Sequence, residues 1–255
     1  MSRERLSLCL DDVAGGPSLD TATSRAVLQR VDRGELPATL RLSRPPRVVA
    51  FGSRDTRAAG FPDAVRAATA AGFGSVLRLA GGRAAVFTAS TIAFAWAVPT
   101  STPAAAITER FATLSGALRD AFTSLGVDAR IGEVAGEYCP GEWSVNVRGR
   151  RKVAGVGQRL LRNAAHTGGV VVVDEAAAVN RALSGVYAAL AEAWDPAVTG
   201  QLVDEATVSW EQVRDAIVAA FETRFEVERW HLDEPTLALA RRLAPEHLPD
   251  GAPAA

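Results

Sequence analysis

Length, composition and charge exclude several classes of protein. The chain has 255 residues, of which 48% are hydrophobic and 22% are charged, and its formal net charge is -1. It is long enough for one large α/β domain, and its near-zero charge excludes an overall nucleic-acid-binding surface. No apolar run reaches the roughly 18 residues that a membrane span needs, and residues 1–12 lack the signal-peptide pattern. We therefore expect a cytoplasmic protein with no nucleic-acid or membrane partner.

The N-terminal half alternates between predicted strands and helices. A strand is predicted over residues 5–10, where leucines share one face, and a helix follows, ending near residue 33. A second helix is predicted over residues 61–71. The other predicted strands of this half are, in chain order, 40–42, 48–51, 76–79, 84–87 and 92–98.

The clearest helix covers residues 107–125, where apolar residues recur at spacings of three and four until Gly126 ends the pattern. A strand over 127–131 and a glycine-containing loop over 132–141 come next. Strands over 143–147 and 153–158, joined by a turn at Gly149, form a predicted hairpin.

The C-terminal third is predicted to be a helical cover. The elements are a buried strand over 168–173 and helices over 176–194, 211–225 and 234–243. Residues 245–255 show no periodicity, so we expect a loose C-terminal tail after a single domain of residues 1–244.

The order of these elements favours a mixed sheet with helices packed on it over an open doubly wound sheet. The segment Gly155-Val156-Gly157 resembles the start of a dinucleotide fingerprint, but Leu160 occupies the third glycine position and the segment reads as a strand.

Lys152 is the only lysine, beside 27 arginines, and it follows Arg150 and Arg151. A lysine ammonium is a compact donor that fits beside a carbonyl oxygen, which a flat guanidinium does less well. The pattern therefore indicates one site that requires an amine, and the alternative is a stray surface lysine.

Cys139 is the candidate nucleophile. It lies in the predicted loop between Tyr138 and Pro140, and the nearest cations in sequence are Lys152 and its neighbouring arginines, which a reactive thiolate would need. The alternative is an ordinary loop cysteine. Cys9, in the first strand, is expected to be structural.

The remaining candidates are weaker. The doublet Gly81-Gly82, beside Arg78 and Arg83, allows the backbone to approach a ligand, although such a doublet more often marks a plain turn. His166 is expected in a loop before a glycine pair, as a proton shuttle or a loop hydrogen-bonding group. Glu137 and Glu142 are expected to be solvated. Two distant cysteines and three histidines give no metal-binding pattern, so no metal is expected.

Three segments together resemble the lipoate–protein ligase and octanoyltransferase family, which shares the catalytic fold of biotin protein ligases. Residues 78–86, RLAGGRAAV, resemble its arginine and glycine-doublet segment, and residues 149–159, GRRKVAGVGQR, resemble its lysine segment. Residues 138–141, YCPG, resemble the cysteine loop of the branch that transfers octanoyl groups through a thioester. The resemblance implies a mixed, largely antiparallel sheet flanked by helices.

The sequence also departs from the family pattern. Arg83 replaces the third glycine of the first segment, and Phe87 and Thr88 replace its histidine-aspartate pair. An extra arginine enlarges the turn before Lys152. These departures speak against adenylate binding.

The resemblance implies a cysteine acyltransferase of protein lipoylation. Cys139 would be the nucleophile and Lys152 the group at the acyl oxygen, with the acyl pocket formed by Arg78, Gly81, Gly82, Gly155 and His166. The donor would be an octanoylated or lipoylated acyl carrier protein or glycine cleavage H protein, and the acceptor a lysine of a lipoyl domain of a 2-oxoacid dehydrogenase. The arginines expected to dock these acidic partners are Arg148, Arg150, Arg151 and Arg159.

No cofactor is expected in this reaction, and we expect the protein to act as a monomer. Two alternatives remain open at this point. One is an ATP-dependent lipoate or biotin ligase, in which Cys139 is incidental, and the other is a non-catalytic protein that binds an acyl chain.

Overall fold

The computed structural model describes residues 3–249, which form helices packed on two sheets. The helices are α1 (Pro17–Asp32), α2 (Phe61–Ala70), α3 (Ile107–Ser124), α4 (Ala176–Ala189), α5 (Trp210–Glu222) and α6 (Glu234–Leu243). The strands are β1 (Arg5–Cys9), β2 (Thr39–Ser43), β3 (Val48–Phe51), β4 (Gly74–Leu77), β5 (Ala85–Phe87), β6 (Thr91–Pro99), β7 (Ala129–Ile131), β8 (Val145–Val147), β9 (Arg151–Leu160), β10 (Ala164–Val172) and β11 (Glu226–Arg229).

The larger sheet has the strand order β11-β1-β2-β6-β10-β9-β8-β7. Strands β11, β1 and β2 pair with one another in parallel, and from β2 to β7 every pairing is antiparallel. The prediction of a mixed, largely antiparallel sheet flanked by helices is confirmed.

The two faces of this sheet differ in chemistry. One face carries large apolar side chains, such as Leu40, Phe94 and Trp96, which pack with the apolar stripes of α3 and α5 in the main hydrophobic core. Because side chains alternate along a strand, the residues between them point to the other face. There Ala95 and Gly168 leave room above the backbone.

The smaller sheet, in the order β4-β3-β5, covers part of this small-residue face. Its outer side packs with α2 and α4 in a second core that contains Phe51, Val86 and Leu183. Its inner side presents Val48, Ala50 and Val76 to a cleft that lies between the two sheets and α1.

The local structure differs from the predictions at strand β11, at the start of β10 and at the start of the C-terminal tail. Strand β11 was not predicted, because residues 226–229 are mostly charged and the strand lies at the sheet edge, where burial is small. Strand β10 begins at Ala164 and not at residue 168, so His166 lies within a strand and the prediction of a loop there is wrong.

The start of the expected tail also packs against the domain. Residues 244–247 form a short 3-10 helix, and His247 is buried with its ring bonded to the carbonyl of Leu77 at 2.6 Å. Residues 250–255, the rest of that tail, lie outside the described residues. Within residues 3–249 no helix combines the length and the apolarity needed to cross a bilayer.

Gly169 tests the close packing of the central strands. A Cβ atom there would lie 1.8 Å from the backbone oxygen of Gly155 on β9, so Gly169→Ala must push two paired strands apart. We expect the free energy of unfolding to fall by about 2 kcal/mol or more, measured by urea denaturation.

Gly116→Ala in α3 is the matched control, because no atom outside its own helix lies within 4 Å of the added methyl group. This variant should be as stable as the wild type or more stable by about 1 kcal/mol. Equal stability of the two variants would contradict the strand register described above.

Candidate active site

Lys152 lies at the start of β9, and its ammonium is directed at the loop between β7 and β8. The Nζ atom donates to Glu137 Oε1 at 2.9 Å, to the carbonyl oxygen of Tyr138 at 3.0 Å and to that of Cys139 at 2.8 Å. The residue is only 1% exposed. Since an ammonium has three protons, this geometry satisfies all of them and ties three consecutive loop residues to one strand.

Glu137 is the buried partner of this lysine. Its Oε1 also accepts hydrogen bonds from Ser144 Oγ at 2.6 Å and from the backbone N–H of Gly141 at 3.1 Å, while Oε2 accepts from the N–H of Val134 at 2.9 Å. The expectation that Glu137 is solvated is wrong, because its side chain is fully buried. The carboxylate organises the loop from inside.

The loop holds Cys139 in a left-handed backbone conformation with φ of 43°. That conformation is unfavourable for a non-glycine residue, so contacts on both sides must maintain it. Lys152 donates to the carbonyl oxygen of Cys139, and the backbone N–H of Cys139 donates to the Tyr187 hydroxyl at 2.9 Å. Tyr187 in turn donates to the carbonyl of Ala84 at 3.1 Å.

The half-buried sulfur of Cys139 faces the turn between β4 and β5. It accepts the backbone N–H of Arg83 at 3.2 Å and Nη2 of Arg78 at 3.4 Å. The Arg83 side chain pairs with Glu192 at 2.5 Å, which fixes the residue whose N–H meets the sulfur.

The glycine doublet allows this close approach. Gly82 has φ of 104°, and a Cβ atom there would lie 2.8 Å from the sulfur of Cys139. The carbonyl oxygen of Gly81 accepts Nη2 of Arg78 at 2.5 Å. A side chain at residue 82 would therefore occupy the place of the thiol.

The surroundings of Cys139 favour its thiolate. Burial alone would raise the pKa of the thiol, but the charges of Arg78 and Lys152 and the N–H of Arg83 together lower that pKa below its ordinary value. A thiolate is both the nucleophilic form and the better acceptor for these donors. The site is therefore suited to nucleophilic attack by sulfur.

A cleft begins beside Arg78, whose Nη2 lies 3.4 Å from the sulfur, and it runs along the small-residue face of the larger sheet. It has about 690 Å³ of empty space, counting the part open to solvent, and it is bordered by Arg78, Leu79 and Ala80 near the cysteine. His166 and Gly168 on β10 form part of its floor.

The two remaining predicted site residues, His166 and Gly155, lie on the central strands β10 and β9. Burial, and then the charge of Arg159, lower the pKa of His166 to about 4, so the imidazole is neutral near pH 7. Gly155 lies beneath Lys152, because a Cβ atom there would lie 3.2 Å from Cε of the lysine. Gly155 therefore makes room for the Lys152 side chain, whereas His166 borders the cleft.

The structure groups Cys139, Lys152 and Arg78 with the glycine doublet. Of the residues predicted to form the acyl pocket, Arg78 and His166 border the cleft, whereas Gly81, Gly82 and Gly155 do not line it.

The structure also adds groups that sequence reasoning missed. The added groups are Glu137, the N–H of Arg83 and the hydroxyl of Tyr187. Only the proximity of a glutamate to the single lysine could have suggested Glu137 from the sequence. A backbone N–H and a tyrosine 48 positions away leave no such signal.

Two of the arginines expected to dock acidic partners are paired within the chain. Arg148 lies 3.2 Å from Glu205, and Arg151 lies 3.2 Å from Asp204. Any partner at this surface must compete with these carboxylates. Among residues 3–249 no group of three or more His, Cys, Asp or Glu side chains is arranged to hold a metal ion.

A family model described as the lipoyl protein ligase A/B catalytic domain matches residues 17–222. Octanoyl-GcvH:protein N-octanoyltransferase of Geobacillus kaustophilus is 27% identical over 167 residues, covering 64% of this chain and 57% of that protein. Lipoyl-GcvH:protein N-lipoyltransferase of Listeria monocytogenes is 23% identical over 156 residues, covering 60% of this chain and 56% of that protein. The matched part spans little more than half the length of these curated relatives.

Solved structures of lipoate ligases share the fold. A lipoate-protein ligase A bound with ATP superposes with a TM-score of 0.77 at 20% identity, covering 96% of this chain and 95% of that chain. A bi-partite lipoate protein ligase from Thermoplasma acidophilum gives 0.74 at 18% identity, covering 95% and 93%. The expected lipoate-ligase-like fold is confirmed.

The lowered pKa of Cys139 predicts a pH profile for alkylation. Because only the thiolate reacts, the rate with iodoacetamide should fall as the pH drops through the pKa of Cys139, at a midpoint below the value of about 8.5 for a free thiol. Arg78→Met removes a charge 3.4 Å from the sulfur, so it should move that midpoint to higher pH. Both proteins are measured with Cys9 replaced by alanine.

Arg162→Met, which changes an exposed arginine, is the control and should leave the midpoint unchanged. An Arg78→Met midpoint equal to that of the control would show that Arg78 does not set the thiol's ionisation.

The buried pair of Lys152 and Glu137 predicts a difference between a single and a double variant. Lys152→Met leaves a carboxylate buried without its cation, and should lower the free energy of unfolding by about 3–5 kcal/mol. Glu137→Gln/Lys152→Met removes both charges and should recover a large part of that loss. Urea denaturation measures both, and a double variant less stable than the single one would refute the assigned pairing.

Proposed function

The chain belongs to the lipoyl protein ligase A/B catalytic-domain family, and we propose that it is a cysteine-dependent acyltransferase of protein lipoylation. The resemblance that residues 78–86 and 149–159 suggested is confirmed by the family match. The proposed reaction moves an octanoyl or lipoyl group from the glycine cleavage H protein (GcvH) to a lysine of a lipoyl domain.

One observation carries the proposal. A thiol with a lowered pKa lies beside Arg78, a residue that borders the cleft, and Lys152 on β9 fixes the loop that holds this thiol. An ATP-dependent ligase has no need of a nucleophilic cysteine. The names of the curated relatives support GcvH over acyl carrier protein as the donor.

The first step is attack by the sulfur of Cys139 on the carbonyl carbon of the donor's acyl-lysine amide. The C–S bond forms, the C–N bond breaks, and the departing lysine amine takes up a proton from water. In the second step the neutral amine of the acceptor lysine attacks the thioester and releases one proton to water, an amide forms, and the thiolate returns. Since one amide is consumed and one is made, the exchange needs no ATP.

Lys152 and the N–H of Arg83 are the proposed donors for the charge that develops on the acyl oxygen. Both already lie against Cys139, one at its carbonyl oxygen and one at its sulfur. Lys152 serves the acyl oxygen by exchanging one of its three loop contacts for it. Removal of one such donor typically lowers a rate by about 10²–10³-fold.

Intact-mass spectrometry tests the thioester directly. After incubation with octanoylated GcvH, the wild type should gain one octanoyl group that hydroxylamine removes, and Cys139→Ala should gain none. Cys9→Ala changes the only other cysteine, which is buried on β1, four strands away from the β9 strand that carries Lys152, and should load like the wild type.

Parallel incubations separate the alternatives. Loading from octanoylated acyl carrier protein alone would make that protein the donor. Modification of a lipoyl domain that requires lipoate and ATP, with no adduct on Cys139, would identify an ATP-dependent ligase. Tight binding of acylated GcvH without transfer to any acceptor would identify a binding protein.

A further inference from the structure

The cleft ends, away from Cys139, in three polar residues, Asp20, Arg41 and Ser43, which we call the polar end. We propose that the polar end selects an acyl tail with hydrogen-bond acceptors at its far end, so that a lipoyl dithiolane binds better than a plain octanoyl chain. This inference rests on the proposed function, since it names the acyl group for the same site.

The strand registers place the polar end on one row of paired residues with the catalytic turn. Gly157 on β9 pairs with Gly168 on β10, which pairs with Ala95 on β6, which pairs with Arg41 on β2. Three steps between neighbouring strands span roughly 14 Å. An extended eight-carbon chain is shorter than this row and lies within it, and the side chain of Arg41 projects from the far end over the same face.

The other end of the row meets the catalytic turn. A Cβ atom at Gly157 would lie 3.0 Å from Ala80 and 3.1 Å from the oxygen of Gly81, whose neighbour Gly82 contacts the thiol. Small residues between the two ends leave the floor open. This floor offers a chain bound to Cys139 a path toward Arg41.

Arg41 is buried, and all but one of its guanidinium nitrogens donate hydrogen bonds within the described residues. It is 2% exposed, and Nη2 binds Asp20 Oδ1 at 2.6 Å and the carbonyl of Asp11 at 3.3 Å. Nη1 donates to Ser24 Oγ at 3.3 Å and to the carbonyl of Asp20 at 3.5 Å. The remaining donor, Nε–H, is buried and has no hydrogen-bond partner among the described residues.

Ser43 repeats this pattern two residues along β2, on the same face of the sheet. Its buried hydroxyl also has no partner in the part of the chain that the structure describes, and both residues border the cleft. Nδ1 of His166, on the floor between the two ends, is a third such atom. Buried polar atoms without partners are rare in proteins, and several around one cleft indicate a ligand that supplies them.

A hydrocarbon end and a dithiolane end meet these donors differently. The octanoyl methyl group offers no hydrogen bond to Arg41 Nε or Ser43 Oγ, so these buried groups stay unsatisfied. The two sulfurs of a dithiolane are polarisable weak acceptors that a guanidinium N–H and a hydroxyl can address. The polar end should therefore bind a tail that ends in a dithiolane more tightly than a tail that ends in a methyl group.

Carrier-free probes test the preference without requiring transfer. In a Cys139→Ala background, we expect lipoamide to bind about fivefold more tightly than octanamide, measured by calorimetry. Asp20→Leu/Arg41→Met replaces the ion pair with apolar side chains of similar size and should remove or reverse that ratio. Ser43→Ala, which breaks no bond within the described chain, should reduce it.

The exposed pair Asp128→Asn/Arg130→Gln is the control and should keep the ratio of the parent protein. Equal or tighter binding of octanamide by the parent protein would overturn the inference, as would a ratio that neither polar-end variant changes. If the double variant fails to fold, the ratio of lipoamide to octanamide binding measured for Ser43→Ala decides whether the inference holds. Because binding here needs no thiol, failure of the cysteine to load would end the proposed function and leave this ratio measurable.

Discussion

The buried ion pair between Lys152 and Glu137 is the interaction on which the site depends. Two charges removed from water are stable only when their hydrogen bonds are complete, and here the ammonium makes three and the carboxylate accepts four. These bonds join the ion pair to the loop that carries Cys139, so they stabilise the conformation of that residue. A left-handed cysteine is thereby held where an unconstrained loop would not keep it.

Glycine and alanine shape the site as much as the charged residues do. Gly155 admits the lysine side chain across β9, Gly157 admits the turn of residues 80–81, and Gly168 lies under the ring of His166. The opposite face of the same strands carries the main core with its large side chains. One sheet therefore provides both the rigid core and an open floor, because the side-chain alternation of a strand separates the two tasks.

The sequence allowed prediction of what depends on local pattern. Helix α3 was predicted within one residue, since its apolar spacing and its terminal glycine agree, and Cys139 and Lys152 were found because each is chemically rare. The polar edge strand β11 and the alanine-rich start of β10 lack an apolar pattern, so tertiary pairing decides them. Burial of Glu137 could not be predicted, because it depends on how a loop meets a strand 15 residues later.

The proposed exchange of one amide for another also explains why the thiol is enclosed. With no net chemical energy to gain, the protein's contribution is kinetic: it must make the thioester accessible to an amine and keep water from hydrolysing it. Cys139 is half-buried between the Arg83 turn and its own loop, and the acyl chain would fill the cleft beyond it. The acceptor lysine then has to enter from the solvent side of the thiol. The same enclosure that lowers water access makes the cations around the sulfur more effective, because a lower local dielectric strengthens their interaction with a thiolate.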